Sequence, residues 1–213
     1  LVKFNRFVLR RKLMFDLDEI FKNKEPGFIG QENKTYSIVV PVIEIDGDQH
    51  LIFQVRNKRL KVQPGEVSFP GGQLEEGETP YDAAIREFSE EMSCSPDQVK
   101  IITELDTYVA PGRGLIHCFL AEIDKNFNLD IKNDEVECLF TLPISYFLEN
   151  EPLVLKNTVR IEPSPDFPFE EMNIPESYHW GSYKYPISFY KIGEIVIWGI
   201  TANIVNSFSK KLI

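Results

Sequence analysis

Long apolar runs are missing from this chain. Nowhere in its 213 residues do the roughly 18 to 20 consecutive apolar side chains that span a bilayer occur. No apolar core typical of a secretory signal stands at the front either, so neither a membrane protein nor a membrane partner is expected. Cysteine is scarce: Cys94, Cys118 and Cys138 are odd in number and far apart, which fits neither a disulfide framework nor a paired-cysteine zinc site. The expected compartment is therefore a reducing one, the cytoplasm. Histidine is equally sparse, and His50, His117 and His179 stand alone rather than at metal-ligand spacing. Basic residues are in deficit, 23 Lys and Arg against 33 Asp and Glu for a net charge of −10. That excludes a broad nucleic-acid footprint, which needs surplus cations to displace counterions from phosphates. An anionic small molecule remains possible as a partner only if some local feature reverses the field.

What is present is an ordinary globular composition, 43% hydrophobic and 12% aromatic, with charges of both signs scattered through the sequence. The length suits one domain with a terminal addition: a leader over residues 1–33 and a catalytic domain over residues 34–213. Residues 1–15 are basic and rich in Phe, and they read as an element packed on the domain, with a targeting or membrane-surface segment as the alternative. Residues 16–25 suggest a short helix ended by Pro26-Gly27. Two β-rich runs, YSIVVPVIEI and HLIFQVRN, flank Asp46-Gly47-Asp48 and predict a hairpin. A polar basic stretch over residues 58–65 leads into a glycine loop, Pro70-Gly71-Gly72, and then a helix from Pro80 to about Met92. Further strands are expected over residues 99–109, 116–123 and 136–142, short helical material over 144–150, a Pro-rich aromatic stretch over 163–186, and a closing helix over 195–208. The class is α+β, a mixed sheet between helices.

The helix after the glycine loop carries the chemistry. Thr79 suits its N-cap, Pro80 its first position and Asp82 its first turn. At 100° per residue, Tyr81, Ala84, Ile85, Phe88 and Met92 share a packing face, while Ala83, Glu87, Glu90 and Glu91 share an acidic one. Carboxylates at this spacing repel one another by some tenths of a kcal/mol per pair, a cost that a divalent cation with hard oxygen preferences turns into a gain. An acidic helix face alone is more often a solvated surface.

The context decides between them. GGQLEEGETPYDAAIREFSEEMSC contains G-x5-E-x7-R-E-U-x-E-E, with Gly72, Glu78, Arg86, Glu87, Phe88, Glu90 and Glu91 in place. This resembles the box of the Nudix hydrolase family. The resemblance implies a Nudix fold and Mg2+ (or Mn2+) held principally by Glu87 and Glu91, with help from Glu90 and the Gly72 carbonyl. It also implies that Arg86 orients Glu87 and that Glu78 ties the loop to the helix beside Gly71. One departure is Ser93, where the family has Gly; Ser tolerates a left-handed helix end less well, so the helix exit is expected to differ.

Upstream, LIFQVRNKRLKVQPGEVSFPGG resembles the pattern LLTxRSxxxRxxxGxxxFPGG of the coenzyme A diphosphatase subfamily. Arg56, Gly65, Phe69, Pro70, Gly71 and Gly72 match; Gln54, Asn57 and Lys61 stand where the pattern has Thr, Ser and Arg. Arg56, Lys58, Arg59 and Lys61 would answer the 3′-phosphate of coenzyme A. The resemblance covers about residues 37–205 and is weakest over 125–134 and 157–185. It implies cleavage of coenzyme A or its acyl form to 3′,5′-ADP and (acyl-)4′-phosphopantetheine, a small-molecule nucleotide substrate and a homodimer. Asn57, Lys61 and the turn VAPGRG with Arg113 keep ADP-ribose or a dinucleoside polyphosphate open as substrate. A Nudix-fold binding module without turnover is a third reading. The general base is expected from a distant loop at Glu135, with Glu137 as the competitor.

Overall fold

The computed structural model describes residues 34–213, so the leader, its basic segment and the helix read over residues 16–25 lie outside the described residues. The expected hairpin is formed by β1 (Thr35–Ile45) and β2 (Asp48–Arg56), paired antiparallel with Ile45 opposite Asp48. Asp46 and Gly47 at the turn both take positive φ, 53° and 90°, as the tight connection that matches strand twist requires. On its other edge β1 pairs in parallel with β7 (Gly114–Ile123). A strand so placed is covered on both faces, which explains the nearly unbroken run Val39-Val40-Pro41-Val42-Ile43.

Around this centre the sheet is mixed. β8 (Val136–Pro143) and the short β3 (Val67–Ser68) pair with β2, and β4 (Gly71–Gln73) pairs with β1. The single strand expected over residues 99–109 is two, β5 (Val99–Glu104) and β6 (Tyr108–Ala110), each antiparallel to β7. Their register slips between Ile101 and Thr103, and the Leu105 amide rejoins the Cys118 carbonyl at 2.7 Å, so the chain bends where a periodicity argument sees continuity.

One face of the sheet is covered by α1 (Pro80–Glu91). Its start is fixed as expected: the Thr79 hydroxyl accepts from the Asp82 amide at 3.2 Å, and Ser37 Oγ donates to the Pro80 carbonyl at 2.7 Å, pinning the first turn over β1. Ala84, Phe88 and Met92 pack on Val39, Ile43, Ile52, Phe119 and Ala121. Phe88 is fully buried, a contribution of about 2 to 3 kcal/mol. Two positions differ from the helical wheel. Tyr81 stays half exposed, edge-on to Phe119, and Ala83 is fully buried although it falls on the acidic side. The helix lies on its two alanines, which lets it sit close to β1.

The exit of α1 is not altered by Ser93. Ser93 adopts φ 49°, its amide reaches the Glu90 carbonyl at 3.2 Å, and the Cys94 amide reaches that of Ser89 at 3.0 Å. This is the paired-bond ending usually built on glycine, here with serine in the left-handed residue's place.

The opposite face carries α2 (Ile144–Glu149) and α3 (Gly199–Ser209) over a second core of Phe53, Phe69, Phe147, Tyr190, Ile197 and Phe208. A mixed sheet between helices is thus the architecture, as expected. Beside it stands a feature that was not expected: a three-stranded antiparallel sheet of β9 (Leu153–Arg160), β10 (Ser182–Ile192) and β11 (Ile195–Trp198). Residues 195–208 therefore do not form one helix. Ile195 to Trp198 pair with β10, and Gly199 at φ 66° breaks the chain into α3, a conformation an L side chain rarely adopts. Thr201 Oγ1 donates to the Val67 carbonyl at 3.1 Å, so α3 braces the strand that leads into the glycine loop. No helix of the described residues is long and apolar enough to cross a membrane.

Candidate active site

Three elements bring the carboxylates of α1 against the glycine loop. In β2, side chains alternate: Leu51 and Phe53 enter the core below α2 and α3, while Ile52 and then Gln54 and Arg56 lie on the α1 side. The apolar stripe under α1 thus gives way, two residues at a time, to an amide and a guanidinium. The chain returns through β3 and β4, whose Gly71 and Gly72 lie opposite Ile38 and Ser37 of β1.

Glycine is required at the first of these positions and makes room for a carboxylate at the second. Gly71 has φ 151°, and a methyl there would overlap the Ser37 carbonyl and Ile38. A methyl on Gly72 would overlap the Glu87 carboxylate itself. The Glu87 side chain therefore lies directly over the loop backbone, in space that only the absence of a Cβ provides.

Arg86 organises the outer part of the site. Its Nε and Nη2 each donate at 2.9 Å to the two oxygens of Glu78, a bidentate pair, and its Nη1 donates to Glu87 at 2.8 Å and to Glu90 at 3.3 Å. Glu78 also accepts from the Glu75 amide at 2.9 Å. The Arg86 guanidinium holds the Glu78 carboxyl below its ordinary range, and that bond, with help from Glu87, raises the guanidinium's own pKa. Glu87 moves the other way: burial raises its carboxyl pKa, opposed by Arg86, with the charges of Glu90 and Glu135 adding to the rise. Glu90 remains largely exposed.

Glu91 is the buried member, 4% exposed. Its Oε2 accepts from Gln54 Nε2 at 2.9 Å and from the Gly71 amide at 3.0 Å. Burial pushes its carboxyl up to about 7 despite these donors, with the charge of Glu135 adding to the rise and Arg56 opposing it. Arg56 thus stands by the carboxylates rather than with the rest of the basic run. Lys58 and Arg59 are exposed and lie near Glu137, whose carboxyl is lowered first by its 2.6 Å bond with Lys132 and then by these cations. Lys61 is exposed, with no partner among the described residues.

Two asparagines hold these segments together. Asn133 Nδ2 donates to the Glu91 carbonyl at 2.8 Å and to Ser93 Oγ at 3.1 Å, while its Oδ1 accepts from the amides of Glu135 and Val136 at 2.9 and 2.8 Å. Asn57, 5% exposed, donates to the Asn133 carbonyl at 2.8 Å and accepts from the Arg59 amide at 3.0 Å. One network therefore joins the end of α1, the loop bearing Glu135 and the start of the basic run. Asn57 shapes the loop at the start of the basic run. The sequence marks Gln54 only as a departure from the subfamily pattern and gives Asn133 no role. The signal for Gln54 was a lone amide on the buried side of β2.

The NUDIX domain family matches residues 35–155, more than half of the chain. The chain belongs to the Nudix family. Among its curated relatives, the mouse peroxisomal coenzyme A diphosphatase NUDT7 is 38% identical over 114 residues, covering 53% of this chain and 48% of that protein. The Caenorhabditis elegans peroxisomal coenzyme A diphosphatase ndx-8 is 33% identical over 117 residues, covering 53% and 50%. The chain thus spans about half the length of these two relatives. Among solved structures, a C. elegans Ap4A hydrolase superposes with a TM-score of 0.43 at 18% identity over 55% of this chain and 85% of that one.

Nudix enzymes generally use a divalent metal such as Mg2+. Among the described residues no three His, Cys, Asp or Glu side chains already converge as a metal cage, because Arg86 draws Glu87 and Glu90 outward and Gln54 and Gly71 hold Glu91 inward. The residues nonetheless fit such an ion. Glu87 lies in a cradle that a Cβ at Gly72 would fill, and Glu91 is a buried carboxylate whose protein donors both fall on one oxygen. Hard oxygen ligands from carboxylates and a backbone carbonyl are what magnesium selects.

Proposed function

We propose that the chain is a Mg2+-dependent (or Mn2+-dependent) diphosphatase that cleaves coenzyme A or acyl-coenzyme A to 3′,5′-ADP and (acyl-)4′-phosphopantetheine. The observation that carries this reading is the joining, through Asn57 and Asn133, of the basic run to the end of the acidic helix. A segment whose cations suit an extra phosphate is thereby tied to the helix whose carboxylates suit a metal-bound diphosphate. The two relatives named as coenzyme A diphosphatases support the same substrate.

Glu87, Glu91, Glu90 and the Gly72 carbonyl would hold the ion. Once bound, it would neutralise charge on the diphosphate oxygens and lower the pKa of the attacking water. Arg86 holds Glu87 over the loop, and Glu78 holds Arg86. Water adds to one phosphorus, the bridging P–O bond breaks, and the proton of the water passes to Glu135. The charge of Glu135 is felt by both Glu87 and Glu91, whereas Glu137 is committed to Lys132. Lys58, Arg59 and Lys61 take the 3′-phosphate, and Arg56 faces the diphosphate beside Glu91. The buried Cys118 thiol, pushed up to about 12 by burial, takes no part in this chemistry. The compartment on the sequence reading is the cytoplasm; the mouse relative's name places that protein in the peroxisome.

The test of the substrate assignment compares coenzyme A with its 3′-dephospho form. Wild type is expected to prefer coenzyme A through KM, and Lys58→Ala with Arg59→Ala to remove that preference while leaving kcat for the dephospho form in place. Equal use of the two compounds by wild type, or preferential cleavage of ADP-ribose or a diadenosine polyphosphate, would retire the coenzyme A reading and keep the chemistry.

A further inference from the structure

We infer that Gln54 is a positioning residue for Glu91, holding that carboxylate for the divalent ion; the inference rests on the metal-dependent reading above. Gln54 is 1% exposed, two residues before the C-terminal end of β2. Its Nε2 donates one hydrogen to Glu91 Oε2 at 2.9 Å and the other to Ser68 Oγ at 3.2 Å. Ser68 is its register partner across the β2–β3 pair, so the amide is clamped between a strand neighbour and the acid. The orientation is fixed by chemistry: rotating the amide would set its carbonyl oxygen against the Glu91 carboxylate.

Packing alone does not account for this residue. Ile52, two positions earlier on the same face, meets α1 with an apolar side chain. Gln54 brings a polar group into the same layer and leaves its Oε1 buried without a partner, an expense that an apolar residue of similar size would avoid. What the amide adds is a second donor, beside the Gly71 amide, on the same oxygen of Glu91. The protein's bonds are concentrated on Oε2, and among the described residues no donor engages Oε1. A carboxylate held by one edge presents the other to an incoming cation in a set orientation, the service that outer partners perform for metal ligands. The coenzyme A diphosphatase pattern has Thr at this position. Thr is too short to span from β2 to the acid, so the arrangement belongs to this chain's own sequence.

The test measures Mn2+ binding by electron paramagnetic resonance in the 213-residue wild-type chain, Gln54→Leu, Ser68→Ala and, as control, Glu91→Gln. Thermal melting in chelator and kcat and KM for coenzyme A at varied Mn2+ accompany each. Gln54→Leu is expected to bind Mn2+ about 10- to 100-fold more weakly, with melting and KM for coenzyme A close to wild type and with kcat recovering as Mn2+ is raised. Ser68→Ala is expected to shift in the same direction by less. Should Gln54→Leu not fold, Gln54→Met and Ser68→Ala carry the same comparison. A folded Gln54→Leu that binds Mn2+ as wild type does would overturn the inference while the metal reading stands through a defective Glu91→Gln. Wild type binding Mn2+ no better than Glu91→Gln would overturn both.

Discussion

At Glu91, burial and charge oppose each other most strongly. Its carboxyl, ordinarily near 4.5, is pushed up to about 7 by burial. Below pH 4.5 the group is neutral in the folded and the unfolded chain alike. Between 4.5 and 7 the unfolded chain ionises first, so this group makes stability fall as pH rises; above 7 the full cost, about 3 kcal/mol at most, is present. In metal-free protein, Glu91→Gln is therefore expected to be more stable than wild type at pH 8 and little changed at pH 4, while losing orders of magnitude in turnover. Urea unfolding in chelator at the two pH values checks this, and an unchanged pH slope in the variant would contradict it. Gly72 makes a different prediction. Gly72→Ala places a methyl in the space of the Glu87 carboxylate, and a displacement of about 1 Å at a catalytic group costs on the order of 100-fold in rate. Steady-state kinetics beside a melting curve separates that loss from unfolding.

At the scale of elements, the end of α1 and the loop over residues 133–135 act as one piece because a single side chain serves both. Asn133→Ala removes every bond of that side chain, whereas Asn133→Asp keeps the acceptor for the Glu135 and Val136 amides and loses the donor to the Glu91 carbonyl and Ser93. Asn133→Ala is expected to cost about 1 to 3 kcal/mol of stability and to slow turnover. Asn133→Asp is expected to fall between it and wild type in melting temperature. An Asp variant as impaired as the Ala variant would show that only the bond to the helix end matters. The hairpin, α1 and the glycine loop were legible because each carries local chemistry that fixes it: Asp46-Gly47, the Thr79-Pro80 start, Gly71 and Gly72. β9 and β10 were not, because they are joined by some 20 Pro- and aromatic-rich residues and pair only with each other and with β11. The run from Ile195 to Trp198 is apolar and short, and such a run fits a strand or a buried helix turn equally. Only the pairing with β10 settles it. The roles of Gln54 and Asn133 were not legible because neither residue type announces one until its partners, 37 and 42 positions away, are in place.

The whole molecule carries a charge of −10 and yet is proposed to take a polyanion. The proposed remedy is local: Arg56 stands by an acidic cluster that a divalent ion would neutralise, and Lys58, Arg59 and Lys61 follow it as exposed cations. Attraction between exposed charges is screened as salt rises, so KM for coenzyme A is expected to increase with ionic strength more than that for its dephospho form. Parallel KM values across a salt series would remove the basic run from substrate binding. Metal-dependent hydrolysis of the coenzyme A diphosphate is tested by incubating the protein with coenzyme A in Mg2+ or in chelator and identifying the products by mass. 3′,5′-ADP and 4′-phosphopantetheine are expected in equal amounts, formed only with the metal and absent with Glu91→Gln. Coenzyme A left intact by a folded, Mg2+-loaded protein would contradict this expectation, and binding without cleavage in that case would identify a nucleotide-binding module.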